Sequence, residues 1–178
     1  MSATPYQTLP GGQALSPFRA QALLARLQAI DENIESIGAE WFYPLAIRTG
    51  SGGKAAAAGQ GGTPCSGQDP AATPLEGDRL ARLQQLVDDQ PAPLGADGKH
   101  QRSLWVTARQ GTLSPWSSKA IDILQHAGFG DVTRIERGIR YQLGFRHGLL
   151  GGSKARDYPA ERLAQLAACL HDPMTESW

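Results

Sequence analysis

The chain has 178 residues, enough for one compact domain with room for an appendage, since domains commonly run to roughly 100 to 200 residues. Basic and acidic side chains balance at 17 each, so no broad field draws the protein to nucleic acid or to an anionic membrane, and a partner has to be recognised locally. Two distant cysteines, Cys65 and Cys169, make neither a disulfide framework nor a metal-ligand spacing, and "MSATPYQTLPGG" lacks the basic-then-apolar pattern of a leader; the expectation is a cytoplasmic protein without a membrane segment.

In chain order, a short strand is possible before Ser16. "LSPFRAQALLARLQAI" predicts the first helix: Ser16 can cap it, Pro17 suits its first position, and Phe18, Leu23, Leu24, Leu27 and Ile30 fall near one face. "SIGAEWFYPLAI" is rich in aromatic and branched residues and predicts a strand over roughly residues 37–47, with Trp41 and Tyr43 on one face and Phe42 on the other. Residues 49–73 are almost all Gly, Ala, Ser, Thr, Pro and Gln, a composition that cannot bury enough apolar surface to offset the entropy of ordering, so a mobile insertion is expected. "GSGGKAAAAG" within it lacks the spacing of a phosphate-binding loop.

Leu80, Leu83, Leu86 and Val87 predict a second helix, and "RSLWVTAR" a half-buried strand with Leu104, Val106 and Ala108 inward. After "GTLSPWSSKA", Ala120, Ile121, Leu124 and Ala127 make a helical stripe that ends at Gly128. "DVTRIERGIRYQLGF" reads as two short strands paired antiparallel with each other, because too few residues separate them for a crossover. "PAERLAQLAACL" predicts the last helix, with Leu163, Leu166, Ala167 and Leu170 on one side. This order points to an α+β two-layer sandwich, helices on one face of a mainly antiparallel sheet, with a doubly wound parallel sheet as the alternative, disfavoured because "RIERGIRYQL" leaves too few residues for a crossover.

The residues that could carry chemistry are few. His100, His126, His147 and His171 have unrelated spacings, no G-x-S-x-G elbow occurs, and Cys169 reads as a small apolar core residue. Asp88 and Asp89 read as a solvated helix end. Arg134, Arg137, Arg140 and Arg146, with Glu136 in a surface ion pair among them, read as a charged sheet edge that deters aggregation; only Tyr141 and Phe145 offer the aromatics that an RNA-binding sheet needs. In "GTLSPWSSKA", helix-start N–H groups together with Ser117, Ser118 and Lys119 could hold an anion; the simpler reading has one serine capping, Pro115 stiffening the turn and Trp116 packing on the core.

"VTARQGTLSPWSSKAIDILQHAGFGDVTRIERGIRYQL" strongly resembles the N-terminal domain of the large form of phosphoribosylformylglycinamidine synthase, a purine-biosynthesis amidotransferase. "ALSPFRAQALLARLQA", "IGAEWFYPL" and "LHDPMTESW" resemble other parts of that domain, and the sequence departs from it by the insertion, about residues 48–74. The resemblance implies a fold like a fused dimer of the small separate subunit used by other versions of the enzyme. It implies an assembly domain over residues 1–148, with residues 149–178 forming a terminal helix and the start of a linker to a synthetase domain, so that the chain is a fragment.

The whole enzyme, as the resemblance implies, makes formylglycinamidine ribonucleotide from formylglycinamide ribonucleotide, glutamine and ATP. It is a ligase whose synthetase domain uses ATP and magnesium and whose glutaminase domain frees ammonia; none of those motifs is present, so no catalytic, cofactor or metal residue is expected here. The expected partners are the synthetase and glutaminase domains, with Ser114, Trp116, Ser117, Ser118 and Lys119 at the interface. The alternative is a free-standing anion-binding or regulatory module.

Overall fold

A computed structural model of the chain describes residues 6–48, 75–88, 90–92, 97–109, 111–146 and 158–178. The expected insertion, the glycine-rich run within it, Cys65, Asp89 and His147 lie outside the described residues. The elements are β1 (Tyr6–Gln13), α1 (Pro17–Gln28), β2 (Ile34–Ile47), α2 (Gly77–Val87), β3 (Gln101–Ala108), α3 (Pro115–His126), β4 (Val132–Ile135), β5 (Gly138–Phe145), α4 (Ala160–Leu170) and β6 (Glu176–Ser177).

They form one six-stranded sheet in the order β1-β2-β5-β3-β6, with β4 also on β2 and every pairing antiparallel. The helices pack on a single face, as expected for the two-layer α+β sandwich. Alternation along β2 sends Ala39, Tyr43, Leu45 and Ile47 toward the helices, and Phe42 to the other face, where its ring meets Trp105 edge-on at 4.7 Å. The core has two lobes. Leu27 of α1 and Leu163, Leu166 and Leu170 of α4 cover Ala39, Leu104, Tyr141 and Leu143, whereas Leu83 of α2 and Leu124 of α3 cover Leu9, Tyr43, Leu45 and Ile135.

The strands expected to pair with each other do not. β4 and β5 lie end to end along the same side of β2: Leu45 faces Ile135 and Phe42 faces Gly138, with Glu136 N–H donating to the Pro44 carbonyl between them at 2.9 Å. Glu136 and Arg137 therefore interrupt a single long strand. A two-residue reversal there would need positive φ at the first central position, and in a type I′ turn at both, which the Glu-Arg pair disfavours. β5 is consequently an inner strand between β2 and β3, so Arg140 does not stand on a sheet edge, whereas Arg134 lies on β4, which pairs with β2 alone among the described strands.

The chain also repeats itself. β1-α1-β2-α2 and β3-α3-β4/β5-α4 have the same element order, and the sheet order β1-β2 against β5-β3 exchanges the two units across the central pair. Leu15-Ser16-Pro17-Phe18 opens α1 as Leu113-Ser114-Pro115-Trp116 opens α3; at the same spacing Ile37, Tyr43 and Leu45 of the first unit match Ile135, Tyr141 and Leu143 of the second. This internal twofold is the form that a fused dimer takes.

Two helix faces depart from expectation: Phe18 is 80% exposed and Leu86 is 51% exposed, each lying beyond the apolar stripe of its helix. β6 is too short to read from sequence. It adds to β3 through Thr107–Ser177 and Ala108–Glu176, aided by Arg109 N–H donating to the Thr175 carbonyl at 2.9 Å, and so covers part of that sheet edge. No helix among the described residues is long and apolar enough to cross a membrane.

Candidate functional site

The sequence places Ser114 before Pro115 at the start of α3, and the structure shows why that spacing works. Ser114 has extended backbone, its Oγ accepts from the Ser117 N–H at 3.0 Å, and Pro115 occupies the first helical position where no donor is needed. The same Oγ donates to Glu136 Oε2 at 2.9 Å. Ser117 is wholly buried, and its hydroxyl donates to the Ile135 carbonyl at the end of β4. These two serines tie α3 to the point where β4 gives way to β5. Their hydroxyls are spent inside the fold, and Ser117 presents no exposed surface in this chain.

Ser118 and Lys119 are exposed one turn further on, as are Leu113 and Ile123. Trp116 is half-buried. It lies against the Tyr43 ring at 5.7 Å with 27° between planes and packs on the lobe formed by Leu83 and Leu124. An anion at this helix start meets a difficulty: the buried Glu136 carboxylate already stands there, bonded to Ser114 and ion-paired with Arg134 at 3.3 Å. Glu136 is 7% exposed and not a member of a surface pair.

Next to it, Arg137 enters a cleft. Its guanidinium lies over the Trp41 indole at 4.6 Å and the Trp116 indole at 5.5 Å. The cleft, about 230 Å³, is lined by these three with Ser114, Ile139 and Glu176 among others. Behind it, the Tyr43 hydroxyl donates to Asp88 Oδ2 at 3.2 Å, and Gly12 N–H reaches the same oxygen at 2.7 Å. Burial and the neighbouring Asp88 carboxylate push the Tyr43 phenol up to about 12, with Arg137 pulling the other way. Burial raises the Asp88 carboxyl, but hydrogen bonds from Gly12, Gln90 and Tyr43 outweigh it and hold the group below its ordinary value. Asp88 therefore joins α2 to β1 and β2 instead of forming a solvated helix end.

A second concavity, about 470 Å³, opens on the sheet face away from the helices, lined by Phe42, Pro44, Trp105, Arg134 and Trp178 among others. On that face Arg140, 4% exposed, pairs with Asp97 at 3.1 Å and Glu40 at 3.8 Å and donates to Ser103 Oγ at 2.8 Å. No buried side-chain nitrogen or oxygen among the described residues lacks a hydrogen-bond partner, which marks this as a structural network.

Sequence reasoning found the helix start but missed Trp41, Tyr43, Glu136 and Arg137 as its companions. The available signal was "IERG", which breaks the alternation of the strand where the cleft forms. No group of three or more His, Cys, Asp or Glu residues among the described residues is arranged to hold a metal ion.

The sequence model described as formylglycinamide ribonucleotide amidotransferase N-terminal matches residues 70–178, which include α2, β3, α3, the interrupted strand and α4. The chain belongs to the formylglycinamide ribonucleotide amidotransferase N-terminal family.

Proposed function

We propose that this chain is the assembly domain of a phosphoribosylformylglycinamidine synthase, without catalytic residues of its own, that docks and aligns the synthetase and glutaminase domains of that cytoplasmic enzyme. ATP and magnesium belong, on this reading, to the synthetase domain, and the ligation of glutamine-derived ammonia takes place outside this chain.

The observation that carries the reading is the division of "SPWSSKA" into two sides. Ser114 and Ser117 hold α3 to the sheet, whereas Leu113, Ser118, Lys119 and Ile123 are exposed, and their side chains form no hydrogen bond or ion pair among the described residues. Leu113 and Ile123, exposed at either end of the run that presents Ser118 and Lys119, are apolar surface open to a second protein. The anion-binding alternative is disfavoured by the Glu136 carboxylate at the same helix start.

Mixing the purified chain with the separately produced synthetase and glutaminase portion is expected to restore glutamine-dependent synthesis. The chain alone is expected to show no activity. Failure to bind or to rescue would overturn the proposal.

A further inference from the structure

Two cations of the helix-start region, Lys119 and Arg137, form no ion pair among the described residues, and of the two it is Arg137 that is held by aromatic rings. Among the described residues its guanidinium forms no ion pair, unlike Arg134 with Glu136 and Arg140 with Glu40 and Asp97. What it has instead is two indole faces, Trp41 and Trp116. Glu176 also lines the cleft, but its carboxylate accepts the Asp172 N–H at 2.9 Å, within its own turn.

The internal repeat shows that this arrangement is not needed to close the fold. At the spacing that matches Ile37 with Ile135 and Tyr43 with Tyr141, Arg137 corresponds to Ala39, and Trp116 to the exposed Phe18. The first unit builds the same Ser-Pro helix start and the same strand with neither the guanidinium nor the second indole. The aromatic cradle is therefore an addition to one half.

A guanidinium held against aromatic faces keeps its in-plane N–H donors for another group and has already lost much of its rotamer freedom, so binding there costs less. We propose that Arg137 is the receptor for a carboxylate side chain of the protein surface that docks against this cleft, with Trp41 and Trp116 fixing the guanidinium and the apolar rim excluding water. The inference rests on the docking reading above. A single carboxylate fits better than a phosphate, because one guanidinium offers one positive charge and the carboxylates of Glu136 and Glu176 stand close to the site.

The test measures binding of the full chain to the synthetase and glutaminase portion by calorimetry, at two salt concentrations. Arg137→Gln is expected to weaken binding at least about tenfold and to reduce its salt dependence. Arg137→Lys should fall between the two, since a lysine keeps the charge but lacks the planar fork. Arg137 is exposed, and an unchanged circular dichroism spectrum and melting midpoint will show that the variants fold. Equal affinity of wild type and Arg137→Gln overturns this inference and leaves docking intact; no binding by wild type overturns both. Inorganic phosphate at matched ionic strength is expected to leave binding unchanged, and displacement by phosphate of wild type but not of Arg137→Gln would overturn the assignment to a carboxylate.

Discussion

Ser114 and Glu136 are bonded to each other across the start of α3: the hydroxyl donates to the carboxylate at 2.9 Å while accepting from the Ser117 N–H at 3.0 Å. Ser16, the matching residue of the first unit, accepts from Arg19 N–H at 3.4 Å and is exposed. Loss of a helix cap costs about 0.5–2 kcal/mol, and Ser114→Ala also deprives a buried carboxylate of a donor. Ser114→Ala should therefore lower the urea midpoint more than Ser16→Ala, and equal shifts would show that the bond to Glu136 contributes nothing.

Ser117 and Ser118 are adjacent in sequence and opposite in consequence. Ser117→Ala leaves the Ile135 carbonyl without its hydroxyl donor in a wholly buried place, a loss of about 1–3 kcal/mol. Ser118→Ala on the exposed side should change stability by less than about 0.5 kcal/mol. Equilibrium denaturation of the two variants distinguishes the inner side of the motif from the outer, and similar values would contradict the division.

Gly138 faces Phe42 across the central strand pair. A Cβ placed there would lie 2.5 Å from the Phe42 ring and 2.7 Å from the Val106 carbonyl oxygen, so Gly138→Ala must displace an aromatic ring or a strand. Overpacking of this kind costs about 1–3 kcal/mol. The melting midpoint should fall, and an unchanged midpoint would mean that Phe42 has somewhere else to go.

Asp31, Asp88 and Asp97 all have carboxyls held below their ordinary value. In each case burial raises the group but is outweighed, for Asp31 by bonds from Asn33 and Tyr158, for Asp88 by those from Gly12, Gln90 and Tyr43, and for Asp97 by those from Ser103, Arg140 and Gln142. A lowered folded-state value means that the unfolded chain binds more protons at acid pH. The stability is present above the unfolded value of about 3.9 and is lost as pH falls through the folded values. The urea midpoint should fall as pH drops from about 5 toward 3. Asp88→Asn should lower it at neutral pH and flatten its acid decline, and parallel pH curves for variant and wild type would be the contrary result.

Much of the fold was legible because burial follows period. Leu104 and Val106 point inward along β3, and Leu163, Leu166 and Leu170 face the core from α4, as alternation and helical spacing require. The relation of β4 to β5 was not legible, since the same alternating pattern serves a hairpin and an interrupted strand; only the register on β2 separates them. The cleft escaped for a related reason. Trp41, Trp116 and Arg137 come from three elements, and nothing local in the sequence links an arginine in a strand break to an indole at a helix start. The paired Leu-Ser-Pro openings were visible in the letters and would have pointed to the repeat.

The interrupted strand also bears on how the chain folds. β1 and β2 are brought together by a connection through α1, but β2 finds β4 and β5 only after the chain has passed through α2, β3 and α3. Local pairing should precede this distant closure, so the joining of the two halves at β2 and β5 is the expected slow step. Because closure entropy grows only with the logarithm of loop length, doubling the whole span between β2 and β5 adds only about 0.6 kcal/mol. The central strand pair thus gives the molecule a folding rate set by the meeting of its two halves and only weakly by how many residues lie between them.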